Sequence, residues 1–361
     1  MGDEEIAQEI DDEDDQVDSG VTSKSLDNSN LHFKHQFADA TANFYCQAFF
    51  AKEFRDMRYE LHSSGEEGEA AFIHSLSRCV KWDPQAGKSR SEFFKMQDGR
   101  LIMKQLSKAE ASSVVSFAPH YIAYIHEACR SKKPTVLAKI LGIFRIGFKN
   151  SVTGRAFRQD VIISENLFFN HKKITRIFDL KGSMRSRYAQ ATGHTGDVLL
   201  DENLLEFLIK SPIYIRAHSK YLLESAIRND TNFLTHNKVM DYSLLVCIDE
   251  VNKELVVGII DYIRTFTWDK KLEMYVKSSG ILGGAGNRPT VISPRNYKVR
   301  FSEAIATYFV MVPDRWSSLS VLSDSLSFTT QQPGIYVRPV IKETAVLEEK
   351  FKAAVPASFY G

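Results

Sequence analysis

No window of the 361 residues comes near the ~20 consecutive apolar residues that a membrane-spanning helix requires, which excludes a chain anchored by such a helix. The N-terminus opens with charge rather than an apolar signal core, so a cytosolic chain is expected. There are only four cysteines: Cys46, Cys79, Cys129 and Cys247. They stand far apart, match no zinc or redox spacing, and read as reduced core thiols. Internal repeats are absent. Net charge is nearly absent too, at +1, but that balance hides an asymmetry. Residues 1–30 hold eleven Asp or Glu and one Lys, leaving 45 basic against 34 acidic residues elsewhere. A basic body suits an anionic partner such as a nucleotide, a phospholipid surface or nucleic acid. No aromatic–basic recognition pattern favours nucleic acid.

What is present is a chain 43% hydrophobic and 25% charged, enough for one large or two ordinary domains with a real core. Residues 1–40 read as a disordered acidic tail. "NFYCQAFFAKEFRDMRYELH", with Phe50, Phe54, Met57 and Leu61 at helical spacing, is expected to form one amphipathic helix. "SSGEEGE" reads as a loop and "AAFIHSLSRCV" as a short helix. From 84 to about 182 an antiparallel sheet is expected, with a helix bent or broken at Pro119. From Asp201 the chain turns helical. Asp201 is placed as the cap of "ENLLEFLIK", and "PIYIRAHSKYLLESAIRND" as a second helix with Pro212 in its first turn. Ser293 and Pro294 start a helix with Tyr297, Phe301, Ile305 and Tyr308 on one face. The class is α+β in two lobes, 41–168 rich in antiparallel strands and 169–316 helical with one hairpin. A poorly ordered extension, 317–361, follows. The cleft between the lobes is the default ligand site.

The hairpin is "MDYSLLVCIDEVNKELVVGIID", residues 240–261. Two apolar runs of strand length flank the polar turn "EVNK". Pairing them about that turn sets Asp249 opposite Glu254 and Tyr242 opposite Asp261. Asp241 and Asp261 then sit side by side at the open end. They are either two turn-capping strand ends or a carboxylate pair needing a cation or a shared proton.

Other residues sharpen the choice. Lys104 lies inside an apolar strand, "GRLIMKQL", where a lone lysine is ordinarily an edge residue with its head in water. One strand earlier, "AGKSRSEFF" offers Gly87, Ser89 and Ser91 in a small-residue turn able to lay N–H groups over phosphates. Glu110, six residues past Lys104, is a candidate ion-pair partner for it. "DLKGS" ends a strand with Asp179 and Lys181, followed by Arg185 and Arg187. A strand lysine under a small-residue loop and two carboxylates on a hairpin suit phosphoryl transfer: one aspartate binds Mg²⁺, the other orients the attacking hydroxyl. The protein-kinase signatures H-R-D-x-x-x-x-N and D-F-G are missing, so the acceptor need not be a protein.

"DLKGS", "DYSLLV" and "VVGIID" resemble the phosphatidylinositol phosphate kinases. "VLAKILGIFRIGFKN", "APHYI", "IIDYIRTFTWDKKLE" and "GILGG" resemble their type III, PIKfyve-type branch of phosphatidylinositol 3-phosphate 5-kinases, over about 42–316. The resemblance implies a two-lobed lipid kinase fold, with ATP and Mg²⁺ (Mn²⁺ as a substitute) and transfer to the 5-hydroxyl of phosphatidylinositol 3-phosphate. It implies Asp241, Lys181 and Asp261 as catalytic residues, with Asp261 on the metal. It places Lys104, Gly87, Ser89, Ser91, Glu110 and Asn166 at the nucleotide. Lys270, Lys271 and Lys277 of the 264–294 loop, with Arg187, fall to the lipid. A peripheral location on endosomal membranes, and a scaffold protein or longer native chain for targeting, are further expectations. Two departures stand out. Arg90 occupies a position where the branch usually has glycine, and neither a lipid-binding zinc finger nor a chaperonin-like region is present. A catalytically weak scaffold of the same fold and a protein kinase are the competing readings.

Overall fold

The computed structural model describes residues 31–61, 65–82, 91–169, 174–193, 196–264, 293–312 and 336–339. Seven strands form one wholly antiparallel sheet in the order β1-β2-β6-β7-β5-β4-β3: β1 (His32–Ala38), β2 (Ala42–Phe49), β3 (Cys79–Trp82), β4 (Phe93–Met96), β5 (Leu101–Leu106), β6 (Ile140–Asn150) and β7 (Ala156–Glu165). Helices α1 (Ala51–Leu61), α2 (Gly65–Leu76) and α3 (Lys108–Ser131) accompany it.

A second, five-stranded sheet runs β14-β12-β11-β8-β9, from β8 (Arg176–Leu180), β9 (Val198–Leu199), β11 (Ser243–Asp249), β12 (Glu254–Ile260) and β14 (Tyr336–Pro339). Helices α4 (Asp201–Lys210), α5 (Ala217–His236) and α6 (Pro294–Tyr308) belong to this half. The short strands β10 (Ile213–Arg216) and β13 (Phe309–Val312) pair in parallel. The segment before β6 laces the halves together: Ala138 N–H donates to Ile259, and Ile259 N–H to Val136. Among the described residues no helix is long and apolar enough to cross a membrane.

The hairpin has the expected register, with Asp249 opposite Glu254 and Ser243 opposite Ile260. Asp249 caps its turn by accepting from Val251 and Asn252 N–H, although the left-handed residue is Lys253. Helix α6 also starts as expected. Ser293 accepts the Asn296 N–H, and Tyr297, Phe301, Ile305 and Tyr308 are all buried. Each such side chain contributes about 2 kcal/mol of burial.

Several expectations need correction. The anticipated helix from Asn43 is half strand: β2 pairs on both sides, and the chain enters α1 only after Phe50, at φ 50°. Aromatic residues favour a pleated surface when neighbouring strands are available on both edges. The sheet begins at His32, inside the stretch read as acidic tail. Helix α2 starts within "SSGEEGE", where Glu66 and Glu67 favour an N-terminal turn. Helix α3 runs unbroken through Pro119. Pro212 precedes a strand, β10, not a helix. Strand β8 joins the second sheet rather than the first. Within 317–361 only Tyr336–Pro339 lies among the described residues, as a strand beside β12.

One buried acid pins the halves together. Asp230 of α5 is fully enclosed, accepting from Tyr124 of α3 at 2.6 Å and from Val136 N–H at 2.7 Å. Burial pushes its carboxyl up to about 6, against the pull of those hydrogen bonds. The folded pKa exceeds the unfolded value near 3.8, so ionisation costs stability above pH 6, and protonation restores it as pH falls from 6 to 4. Asp230→Asn cannot titrate. Denaturant midpoints are expected to show wild type gaining on this variant, by about 3 kcal/mol in all, between pH 7 and 4. A pH-independent difference would refute the assignment.

Candidate active site

Lys104 lies in β5 between Phe93 of β4 and Ile162 of β7. Its stem is buried, and its ammonium lies 5.6 Å over the Phe93 ring. The ammonium emerges toward the second sheet and donates to Asp261 Oδ1 at 2.8 Å. A buried lysine is tolerable because it is paired. Glu110, the expected partner, is engaged elsewhere. It forms a capping box with Ser107 at the start of α3, and its other oxygen lies 3.8 Å from Arg264. Six residues past Lys104, it falls in the first turn of α3, where it caps the helix instead.

Asp261 directly follows β12 in left-handed geometry, φ 58°, and Asp241 precedes β11 at φ 65°. Aspartate tolerates this region better than most residues, yet strain at both positions marks a constrained site. Burial acts to raise the Asp261 carboxyl, but Lys104, with Lys181 and Arg264, overrides it and holds the pKa below the ordinary range. Nearly half of the Asp261 side chain, 48%, remains accessible.

Strand β8 pairs with β11 so that Leu180 faces Leu244, and the chain leaves β8 beside Asp241. Lys181 accordingly donates to the Asp241 carbonyl at 2.6 Å. Burial pushes the Lys181 ammonium below its ordinary pKa, while the charges of Asp179, Asp241 and Asp261 work against that shift. Gly182 has φ 64°, and a Cβ there would meet Ala304 Cβ, Arg300 O and Phe301 Cα, all at 3.0 Å. Only glycine lets this loop lie so close to α6.

Behind the loop sits Asp201, the residue that sequence reasoning missed. Rather than capping α4, it is its first residue and fully buried. It accepts from Lys181 N–H (3.1 Å), Gly182 N–H (2.8 Å), Arg187 Nε (2.8 Å) and Tyr308 OH (3.2 Å). Arg187 completes the lattice by donating to the Asp179 carbonyl and carboxylate. Burial works against its charge, but Asp201 and Asp179 hold its pKa above the ordinary value. Its guanidinium, expected at the lipid, is engaged by Asp201 and Asp179. Asn166 donates from its side chain to Gly99 O and accepts from Phe168 N–H, which fixes a turn. Ser91 lies in the short segment before β4. Gly87, Ser89, Arg90, Lys270, Lys271 and Lys277 lie outside the described residues.

The arrangement suits a nucleotide phosphate facing Lys104 and a divalent ion on the ionised, accessible carboxylate of Asp261. Among the described residues no cluster of three or more metal-ligating side chains exists. Mg²⁺ fits that sparse set, because it takes one or two carboxylates and fills its shell from phosphates and water.

Residues 76–255 match the family described as phosphatidylinositol-4-phosphate 5-kinase. The chain is 50% identical over 310 residues to the 1-phosphatidylinositol 3-phosphate 5-kinase of Mus musculus, covering 85% of this chain and 14% of that protein. Identity is 49% over 288 residues with the Saccharomyces cerevisiae kinase FAB1, covering 79% of this chain and 12% of that one. It is 46% over 319 residues with FAB1A of Arabidopsis thaliana, covering 87% and 18%. The chain thus spans under a fifth of the length of these curated relatives.

Asparagine at 201 keeps one oxygen for the Gly182 and Lys181 N–H groups but removes the charge and turns an amide donor toward the buried Arg187 guanidinium. Asp201→Asn is expected to cost about 3 kcal/mol, at the lower end for a broken buried pair because Arg187 keeps Asp179. Urea denaturation measures it, and a loss under about 1 kcal/mol would contradict the hub role.

Proposed function

This chain belongs to the phosphatidylinositol phosphate kinase family, and from that premise we propose that it phosphorylates the 5-hydroxyl of phosphatidylinositol 3-phosphate, using ATP and Mg²⁺. The product is phosphatidylinositol 3,5-bisphosphate. The choice of 3-phosphate over 4-phosphate follows the activity for which the relatives at 46–50% identity are named. The observation that carries the chemistry is the Lys104–Asp261 contact, with Lys181 on Asp241 beside it.

In this reading Lys104 offsets negative charge on the nucleotide phosphates, and Asp261 holds the metal. Bound there, Mg²⁺ would neutralise charge on the phosphoryl group in flight. Asp241 orients the lipid 5-hydroxyl and accepts its proton as the new bond forms. Lys181, held on the Asp241 carbonyl, brings a compact ammonium to the transferring phosphoryl. Asp201 and Arg187 position Lys181 from behind. Lys270, Lys271 and Lys277 meet the anionic membrane, where each basic side chain contributes about 1 kcal/mol. The work is peripheral, on endosomal membranes. Targeting falls to a scaffold or to chain of the kind that makes the relatives longer.

The test is incubation with radiolabelled ATP and vesicles carrying phosphatidylinositol, its 3-phosphate or its 4-phosphate, followed by thin-layer separation. Label is expected in the 3,5-bisphosphate, and Asp261→Asn should abolish it while circular dichroism stays unchanged. Labelled peptides with silent vesicles would indicate a protein kinase, and no labelling at any Mg²⁺ or Mn²⁺ concentration a scaffold.

A further inference from the structure

Each of the three residues after Asp261 reaches α3. Tyr262 is buried, with its ring 6.3 Å from Phe117 and 6.0 Å from Tyr121. Its hydroxyl donates to the Ala138 carbonyl. That carbonyl belongs to the segment lacing the two sheets, since Ala138 N–H is already on Ile259. Tyr121 is itself fixed, accepting the Ile140 N–H at 2.8 Å. The Ile263 carbonyl accepts from Ser113 Oγ of α3 at 2.9 Å. Arg264 lies 3.8 Å from Glu110, also on α3, and its carbonyl accepts the Met240 N–H at 3.1 Å, one residue before Asp241. Residues 262–264 therefore form a strap between α3 and the Asp241 segment, with Asp261 at its head.

The strap has something to oppose. Asp261 is left-handed, a conformation an L-residue leaves readily unless its surroundings enforce it. Phenylalanine would fill the same apolar space among Phe117 and Tyr121. A buried hydroxyl would be unfavourable there unless bonded, so the phenol oxygen calls for a reason beyond packing. Resting on the kinase reading, we propose that Tyr262 is a positioning residue. Its hydroxyl, on the Ala138 carbonyl, latches the Asp261 carboxylate to the segment that laces the two sheets, in the orientation that receives the metal. With the latch weakened, a larger fraction of molecules holds Asp261 turned away. Apparent metal affinity then falls by the fraction lost, while the intrinsic site is unchanged.

The experiment compares wild type, Tyr262→Phe, Tyr262→Leu and Tyr124→Phe as full chains. Mn²⁺ binding is read by electron paramagnetic resonance with a non-hydrolysable ATP analogue, alongside melting temperature and the Mg²⁺ dependence of lipid labelling. Tyr262→Phe is expected to raise the Mn²⁺ concentration for half-occupancy about 10-fold, the order of one buried hydrogen bond. The labelling rate at saturating Mg²⁺ should stay within about 2-fold, as a population effect requires. Tyr124→Phe loses a hydrogen bond to Asp230, one turn beyond Tyr121 on α3. It should lower the melting temperature without moving Mn²⁺ binding, which separates positioning from general stability. Wild-type Mn²⁺ affinity in Tyr262→Phe overturns the latch, whatever Tyr262→Leu does, and leaves the kinase reading standing. Absence of Mn²⁺ binding and of lipid labelling in wild type overturns both.

Discussion

The hydrogen-bonded ion pair between Lys104 and Asp261 joins residues 157 apart in sequence and crosses from one sheet to the other. The lysine and the aspartate of the site meet only through that crossing. The lysine needs a counter-charge to be buried in a strand, and the aspartate needs a cation to stay ionised where burial would protonate it. Each requirement answers the other. Because almost half of the Asp261 side chain remains accessible, the pair joins the two sheets without closing the site.

Around this contact a lattice of alternating charge holds the rest. Asp201 gathers the "DLKGS" turn from below, Arg187 bridges Asp201 to Asp179, and Lys181 reaches over to the Asp241 carbonyl. Helix α6 backs the same turn: Gly182 lies against it, and Tyr297 donates to the Tyr242 carbonyl beside Asp241. Catalytic preorganisation depends on such support, since a displaced ammonium or carboxylate acts poorly on charge in flight. Segment 262–264 extends the support to α3, so three helices share in placing two aspartates.

Some of this was legible in sequence for physical reasons. Two apolar runs about one polar turn admit one favourable register, so the hairpin and its twin aspartates could be read directly. Ser293-Pro294 ahead of a 3–4 spaced aromatic face fixed the start and inner side of α6. The rest depended on competition that sequence does not display. Residues 43–49 carry aromatics that suit a strand once neighbours lie on both edges, which no local pattern announces. Asp201 stands where a capping residue also would, and only burial distinguishes a cap from a hub. Arg187 and Glu110 are charged whether they face a substrate, a carboxylate or their own backbone. The pairing of Lys104 with Asp261 rather than Glu110 is a tertiary choice between two carboxylates, made by the direction in which β5 presents its side chain.

The central claim is that Lys104 and Asp261 bond to one another across the two sheets in the free protein. A double-mutant cycle on unfolding free energy, with Lys104→Met, Asp261→Asn and the two combined, tests it most directly. Contact predicts a coupling of about 1 kcal/mol, falling as salt rises because the carboxylate is partly open. Strict additivity of the two losses at low salt would mean that the lysine and the aspartate do not meet, and the site described here would not be assembled by them.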